Sequence, residues 1–236
     1  MNNMIFTFWE GKLPEYLKLC LNTWKFPYII LNYNNLSLYT EKLPEKVKQL
    51  SLQKVADYVR VHVLRDSGGI WIDTDTIMLN DKLPNALILG DNINRTNTIG
   101  FLNANAIINS DIFIQWATFQ DSVINDLKDM PNGDTTNWDI IGNKFTNNYL
   151  LNHKEIFIDS IEDKWVETYM IKENIPRDSK YKLFYFKTNY TLKDINNTNM
   201  LMLHNSWTPN WYKELSIEEV LKNKCTLSNI LRELNV

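Results

Sequence analysis

Cysteine is nearly absent: 236 residues carry only Cys20 and Cys225, and no C-x-x-C pair occurs. That excludes a disulfide-built scaffold. Two solitary cysteines read as reduced, packed thiols of a cytosolic protein, with a Cys20–Cys225 disulfide as the alternative. Basic excess is also missing. The net charge is -3, the pI is about 5.7, and Lys and Arg are spread along the chain. This argues against a general nucleic-acid binder, which carries a basic patch. The opening "MNNMIFTFWEGK" has no basic region, and its apolar stretch is too short for a secretion signal. No apolar run approaches the roughly 18 residues of a membrane span. The expectation is a soluble cytoplasmic protein, with peripheral contact at a membrane still open to it. Internal repeats, low-complexity tracts and linkers are absent too, so residues 1–236 are expected to form a single domain.

What is present is a large apolar fraction, 44%, with 22% charged residues. Eight Trp, 11 Tyr and 10 Phe fit an aromatic core, or rings that stack on sugar or base. "MIFTF" at 4–8 reads as a buried strand. "LPEYLKLCLNTW" follows as a helix, with Pro14 in its first turn and Leu17, Cys20, Leu21 and Trp24 at helical spacing. "PYIILNY" at 27–33 is a second strand. Residues 51–66 form the clearest helix, with Leu52, Val55, Ala56, Val59 and Val63 as its stripe. Gly68 and Gly69 end it, and Ile70–Ile72 form a strand running into Asp73. This strand–helix alternation predicts an α/β fold with a parallel sheet. Further strands are expected at 86–89, 98–102, 105–108, "EIFID", "KLFYF" and "LMLH", and helices at 111–128 and 138–150. "NGDTTN" at 132–137 is the most loop-like stretch. A capping box, Ser216 with Glu219, opens a helical tail.

The chemistry concentrates in "GGIWIDTDTIML", residues 68–79. Asp73 and Asp75 follow an apolar strand. At i and i+2 of a strand they would share one face, and in a dry core two such charges would be prohibitively costly. At the C-terminal end of a parallel strand they can face a ligand crevice. A divalent cation would offset their repulsion, and oxygen ligands suit Mg²⁺ or Mn²⁺. A D-x-D tripeptide alone is a weak signal; the strand, the helix and the Gly-Gly turn before it give it weight. Asp57 and Arg60 lie three apart on the preceding helix, beside its apolar stripe. They form either a surface ion pair or a pair aimed at hydroxyls or phosphate oxygens. His204, after an apolar strand in "LMLHNSW", is a structural histidine or a late metal ligand.

"ADYVRVHVLRDSGGIWIDTDTIML" resembles the pattern of bacterial DXD-type sugar transferases of glycosyltransferase family 32, in their capsular polysaccharide synthesis branch: a Ser/Ala-Asp-x-x-Arg helix, then Gly-Gly-hydrophobic-Tyr/Trp-hydrophobic-Asp-x-Asp. "FTFWEGKLPEYLKLCLNTW" resembles their first strand and helix. The large clostridial glucosylating toxins share this core more distantly. The likeness is specific over 4–80, thin over 81–195, and returns at "LMLHNSW". It implies a GT-A-like fold with a mixed, mostly parallel central sheet flanked by helices. The donor-binding core would be residues 1–110 with 200–210, and the acceptor side 90–200.

The resemblance further implies a UDP-sugar donor, a divalent metal and transfer with retention of configuration. By it, Asp75 is the direct metal ligand. Asp73 contacts ribose and sugar, or the metal through water. Asp57 and Arg60 hold sugar hydroxyls, Trp9 stacks on uracil, and Trp207 donates its indole N–H to the diphosphate. Which of His204, Asn205 and Ser206 reaches the metal stays open, because the spacing before Ser-Trp is compressed. Gly142 in "DIIGNKF" matches half of a Gly-Pro turn in relatives; Asn143 replaces the proline, and no role is carried over. The implied acceptor is a glycan or a lipid-linked oligosaccharide at the inner membrane face. Two alternatives stand beside this reading. Haloacid-dehalogenase-type phosphatases also place D-x-D after an apolar strand, but follow it with Thr or Val where this chain has Ile77. A non-catalytic carbohydrate-binding protein on a decayed transferase fold should have lost one of the acidic pair.

Overall fold

The computed structural model describes residues 4–83, 88–89, 100–106, 111–128, 130, 133–142, 145, 191–195 and 199–236. Its strands are β1 (Ile5–Phe8), β2 (Tyr28–Leu31), β3 (Ile70–Ile72), β4 (Thr76–Met78), β5 (Ile88–Leu89), β6 (Phe101–Asn103) and β7 (Met200–Met202). The helices are α1 (Glu15–Asn22), α2 (Glu45–Lys48), α3 (Leu52–Ser67), α4 (Asp111–Asp126), α5 (Asn210–Lys213), α6 (Ile217–Lys222) and α7 (Thr226–Glu233). The chain divides into two compact units. The first contains residues 1–10, 26–72 and 84–160; the second contains 11–25, 73–83 and 161–236.

The first unit is built on a five-stranded sheet in the order β2-β1-β3-β6-β5. β1 lies parallel to both β2 and β3, and β6 runs antiparallel to β3. Those four strands make a mixed, mostly parallel sheet, and the two-residue β5 adds an antiparallel edge. α3 packs on β1 and β3 and is covered in turn by α2 and α4. That double covering explains a departure from the expected stripe. Val55, Val59 and Val63 are buried as predicted, but so are Lys54, Tyr58, Arg60, Val61, His62 and Leu64, while Leu52 at the first turn is exposed. A helix between a sheet and a second helix has little face left for water.

Gly69 is what lets α3 return to the sheet. Its φ is 86°, and a Cβ placed there would lie 2.7 Å from the Met4 carbonyl oxygen. That same oxygen accepts from Ile70 N at 3.0 Å, opening the β1–β3 ladder. Only glycine allows both the conformation and the approach.

Other expectations meet local corrections. Residues 104–106 are a 3₁₀ turn, not strand. Asn103 Oδ1 accepts from Asn105 N at 2.9 Å, and such a side-chain bond competes with a ladder. Residues 138–142 form turns instead of a helix start, closed by Ile140 N to Asn137 O and Gly142 N to Asp139 O. The loop before them is pinned. Buried Lys54 bonds Asp134 Oδ2 at 2.7 Å, Thr136 O at 2.8 Å and Thr136 Oγ1 at 2.7 Å. The strands expected at "EIFID" and "KLFYF" lie outside the described residues.

In the second unit β4 and β7 pair antiparallel, with Thr76 opposite Met202. The other edge of β4 is closed by the end of α1 and the residues after it. Trp24 Nε1 donates to Thr76 O at 2.8 Å, and Thr23 Oγ1 accepts from Met78 N at 2.8 Å. Tyr16, Leu17, Cys20, Ile77, Tyr212, Cys225, Leu227 and Ile230 are fully buried here. Both cysteines are free and buried, as packed thiols should be. The Ser216–Glu219 capping box forms at the start of α6. No described helix is long and apolar enough to cross a membrane.

Candidate functional site

Asp73 and Asp75 are not two apart on one strand. β3 ends at Ile72, a turn closed by Thr76 N donating to Asp73 O at 3.1 Å follows, and β4 starts at Thr76. The apolar run 70–79 therefore holds two strands, with the carboxylates displayed by the reverse turn between them. Both are half-buried. The β4–β7 register then decides what they meet. Leu203 N donates to Asp75 O at 2.9 Å, continuing the ladder by one residue. This carries Asp75 to the His204–Asn205 segment, where Asn205 N donates to Asp75 Oδ2. Asn205 is itself held from α1: Tyr16 Oη donates to its Oδ1 at 2.5 Å and to Thr208 Oγ1 at 3.3 Å. Among the three candidates for a late metal ligand, Asn205 is thus turned inward by two bonds. Ser206 is exposed, and His204 is half-buried with a left-handed backbone, φ 54°.

Burial, and next the charge of Asp73, push the Asp75 carboxyl above the usual carboxylate range; His204 and the Asn205 N–H pull it back in part. The field of Asp75 extends to α5. Burial holds the Lys213 ammonium below its ordinary value, and Asp75 opposes that shift. Asp75 Oδ2 is the oxygen that takes the Asn205 N–H. Two mutually repelling carboxylates at one half-buried turn are a donor set that fits a hard divalent cation. Among the described residues no three His, Cys, Asp or Glu side chains gather into a closed metal cage. A cation held here would take the carboxylates and complete its shell with water or phosphate oxygens, the usual habit of Mg²⁺.

Asp57 and Arg60 form their own cluster in the first unit. They are ion-paired through Arg60 Nη2 and Asp57 Oδ1, and the pair is not a surface one. Arg60 is buried, with its guanidinium carbon 5.7 Å from the centre of the Trp71 ring, while Asp57 stays half-buried. Gly142 lies against that carboxylate. Gln120, fully buried on α4, donates through Nε2 to Asp57 O at 2.9 Å and to Ile141 O at 2.7 Å. Trp9 follows β1, is half-buried, and extends the strand pairing through Trp9 N to Leu31 O at 2.9 Å. Trp207 closes a 3₁₀ turn, Asn205–Trp207; its side chain lies outside the described residues.

Tyr16, Gln120 and Lys213 were not singled out by their sequence positions. Gln120 alone carried a signal: it falls four residues after Trp116, on the inner face of α4, where a polar side chain needs partners.

The α/β architecture with its mixed sheet is compatible with a GT-A-like fold. The chain belongs to the capsular polysaccharide synthesis protein family, whose model matches residues 1–226. That match spans residues 81–195, where the likeness read from motifs is thin. Comparison with curated proteins gave no match, and comparison with solved structures gave none.

Proposed function

We propose that this chain is a metal-dependent, retaining glycosyltransferase of surface polysaccharide synthesis. It moves a hexose or N-acetylhexosamine from a UDP-sugar to a glycan or lipid-linked oligosaccharide, in the cytoplasm or at the inner face of the membrane. The observation that carries the reading is the acidic turn. A half-buried carboxylate is kept where burial and a like charge disfavour it, in a chain of a capsular synthesis family. Such a cost is expected where a cation or substrate offsets it.

In this reading Asp75 and Asp73 hold Mn²⁺ or Mg²⁺, with His204 as a further ligand. The bound cation supplies a counter-charge for the diphosphate as it leaves. Asn205, itself held by Tyr16, fixes the rotamer of Asp75, so the carboxylate is presented without reorganisation. Asp57 accepts from sugar hydroxyls, and Arg60 holds Asp57 in place from the buried side. Trp9 stacks on the uracil, and the Trp207 indole donates to the diphosphate. The acceptor oxygen forms its bond to the anomeric carbon as the bond to phosphate breaks, and the acceptor proton passes to the leaving phosphate oxygen. No side chain is assigned as a covalent nucleophile. NMR of the product must show retained configuration; inversion ends this account of the step.

The test is a screen of UDP-sugars for slow hydrolysis with Mn²⁺, together with UDP titrations. UDP should bind at least tenfold more tightly with Mn²⁺, and Asp75→Ala should abolish that gain. Equal UDP binding with and without metal overturns the proposal. Hydrolysis of p-nitrophenyl phosphate lost in Asp73→Asn would favour the phosphatase instead.

A further inference from the structure

We infer that Gly142 and Gln120 are positioning residues for the donor sugar: the bare α-carbon of Gly142 sets where the Asp57 carboxylate sits, and Gln120 holds Gly142 there. The inference rests on the reading of Asp57 as the residue that meets sugar hydroxyls.

Three elements meet at this point, all inside the first unit. A Cβ on Gly142 would lie 3.0 Å from Asp57 Oδ2 and 3.3 Å from its Cγ. Those separations are tighter than ordinary van der Waals contact, so any side chain here must displace the carboxylate by a few tenths of an ångström. Gly142 is not among the glycines with positive φ. Alanine therefore meets no backbone penalty at this position, and the effect of the substitution is the contact alone. The carboxylate is already tied to buried Arg60 on its other side, so a push from Gly142 is paid in the geometry of that pair.

Gln120 makes the contact reproducible. Its two amide hydrogens meet two carbonyls, one on α3 and one on the turn that carries Gly142. Carbonyls only accept, so the orientation of this amide is fixed by its neighbours. Gln120 is fully buried, and its loss removes the tie it makes between α3 and the turn that carries Gly142. Asp57 at i of α3 and Ile141, next to Gly142, are thereby held together from α4. Sugar selectivity depends on hydroxyl positions to within fractions of an ångström. A carboxylate braced on one side by an arginine and on the other by a bare α-carbon has little freedom to follow a different hexose.

The experiment compares wild type, Gly142→Ala, Gln120→Met and Asp57→Ala. It measures Mn²⁺-supported UDP binding and hydrolysis of UDP-glucose, UDP-galactose, UDP-N-acetylglucosamine and UDP-N-acetylgalactosamine. Gly142→Ala should bind UDP within twofold of wild type, lose at least tenfold in kcat/KM for the preferred donor, and alter the ranking of the four. Gln120→Met, which keeps the side-chain length without the donors, should move the same quantities in the same direction. Adding Gly142→Ala to Asp57→Ala should have no further effect, since the glycine acts through that carboxylate. Unchanged hydrolysis and ranking in Gly142→Ala, or a full additional loss on top of Asp57→Ala, overturns the inference. A fall in UDP affinity equal to the fall in kcat/KM overturns it as well, because the effect is then not confined to the sugar. Absence of any metal-supported UDP binding in wild type overturns the proposed function and this inference with it, and is distinguished from the other failures by occurring before any substitution.

Discussion

Replacing Asp75 by asparagine separates two roles that a half-buried carboxylate at a turn can have. If Asp75 is an anchor, its bond to Asn205 N is the point of the residue. If it is a ligand, the charge is the point. Asparagine keeps a side-chain oxygen for the Asn205 N–H and removes the charge. Without metal, the charge is opposed first by burial and then by Asp73, and only partly relieved by His204 and Asn205. A carboxyl raised above its unfolded value adds stability below the ordinary carboxylate range and loses it as pH rises through the raised value. At neutral pH the charged form is therefore a net cost in the metal-free protein. Removing it should raise the melting temperature of the metal-free protein. A bound ligand at about 100 times its Kd adds about 2.7 kcal/mol, or roughly 5 to 11 °C. Thermal melts at pH 7.5 should then cross over. In EDTA, Asp75→Asn melts above wild type; in saturating Mn²⁺ with UDP, wild type rises past it and the variant does not move. A variant that melts well below wild type in EDTA, or that keeps the Mn²⁺ shift, refutes the reasoning.

His62 gives a second expectation. It is buried, stacked on Tyr58 at 3.8 Å, and 3.5 Å from Asp121. Burial lowers its pKa to about 4, with Arg65 adding to that and Asp121 and Asp66 opposing it. Stability is complete above the unfolded value near 6.5 and falls, by up to about 3 kcal/mol, as pH drops towards 4. Urea melts of His62→Phe should lose that acid limb; an identical slope from pH 6.5 to 4 refutes the assignment. Lys54→Met should cost about 1–3 kcal/mol in urea unfolding, since Asp134 loses its ammonium partner while keeping the N–H groups of Ser51 and Thr136. A loss below 1 kcal/mol would show the pair to be dispensable.

The first half of the fold is legible because its periods are strong and its breaks are marked. β1, α1, β2, α3 and β3 follow from apolar spacing and from Gly68–Gly69. Where the reading failed, a tertiary partner or a side-chain bond overrode the local pattern. The polar Asp73–Thr76 stretch between Ile72 and Ile77 is compatible with one strand that ends in a carboxylate pair or with a turn between two strands; the pairing of Thr76 with Met202 decides for the turn. Spacing leaves Arg60 either in a surface ion pair or turned inward, because its neighbour the Trp71 ring requires the fold to be known. Asn103 diverts 104–106 from strand through its own side chain. The residues around the candidate site divide in the same way. Asp57, Arg60, Asp73 and Asp75 announce themselves as charges at short spacing. Tyr16 and Gln120 do not, since each acts on a residue tens of positions or more away.

The pairing of β4 with β7 joins segments more than a hundred residues apart. Any hybrid built by exchanging the amino-terminal half of this chain for that of a relative would pair the acidic turn of one parent with the aligning strand of the other. Recombination and domain-swap engineering in this family therefore have to move residues 73–79 and 199–208 as one cassette.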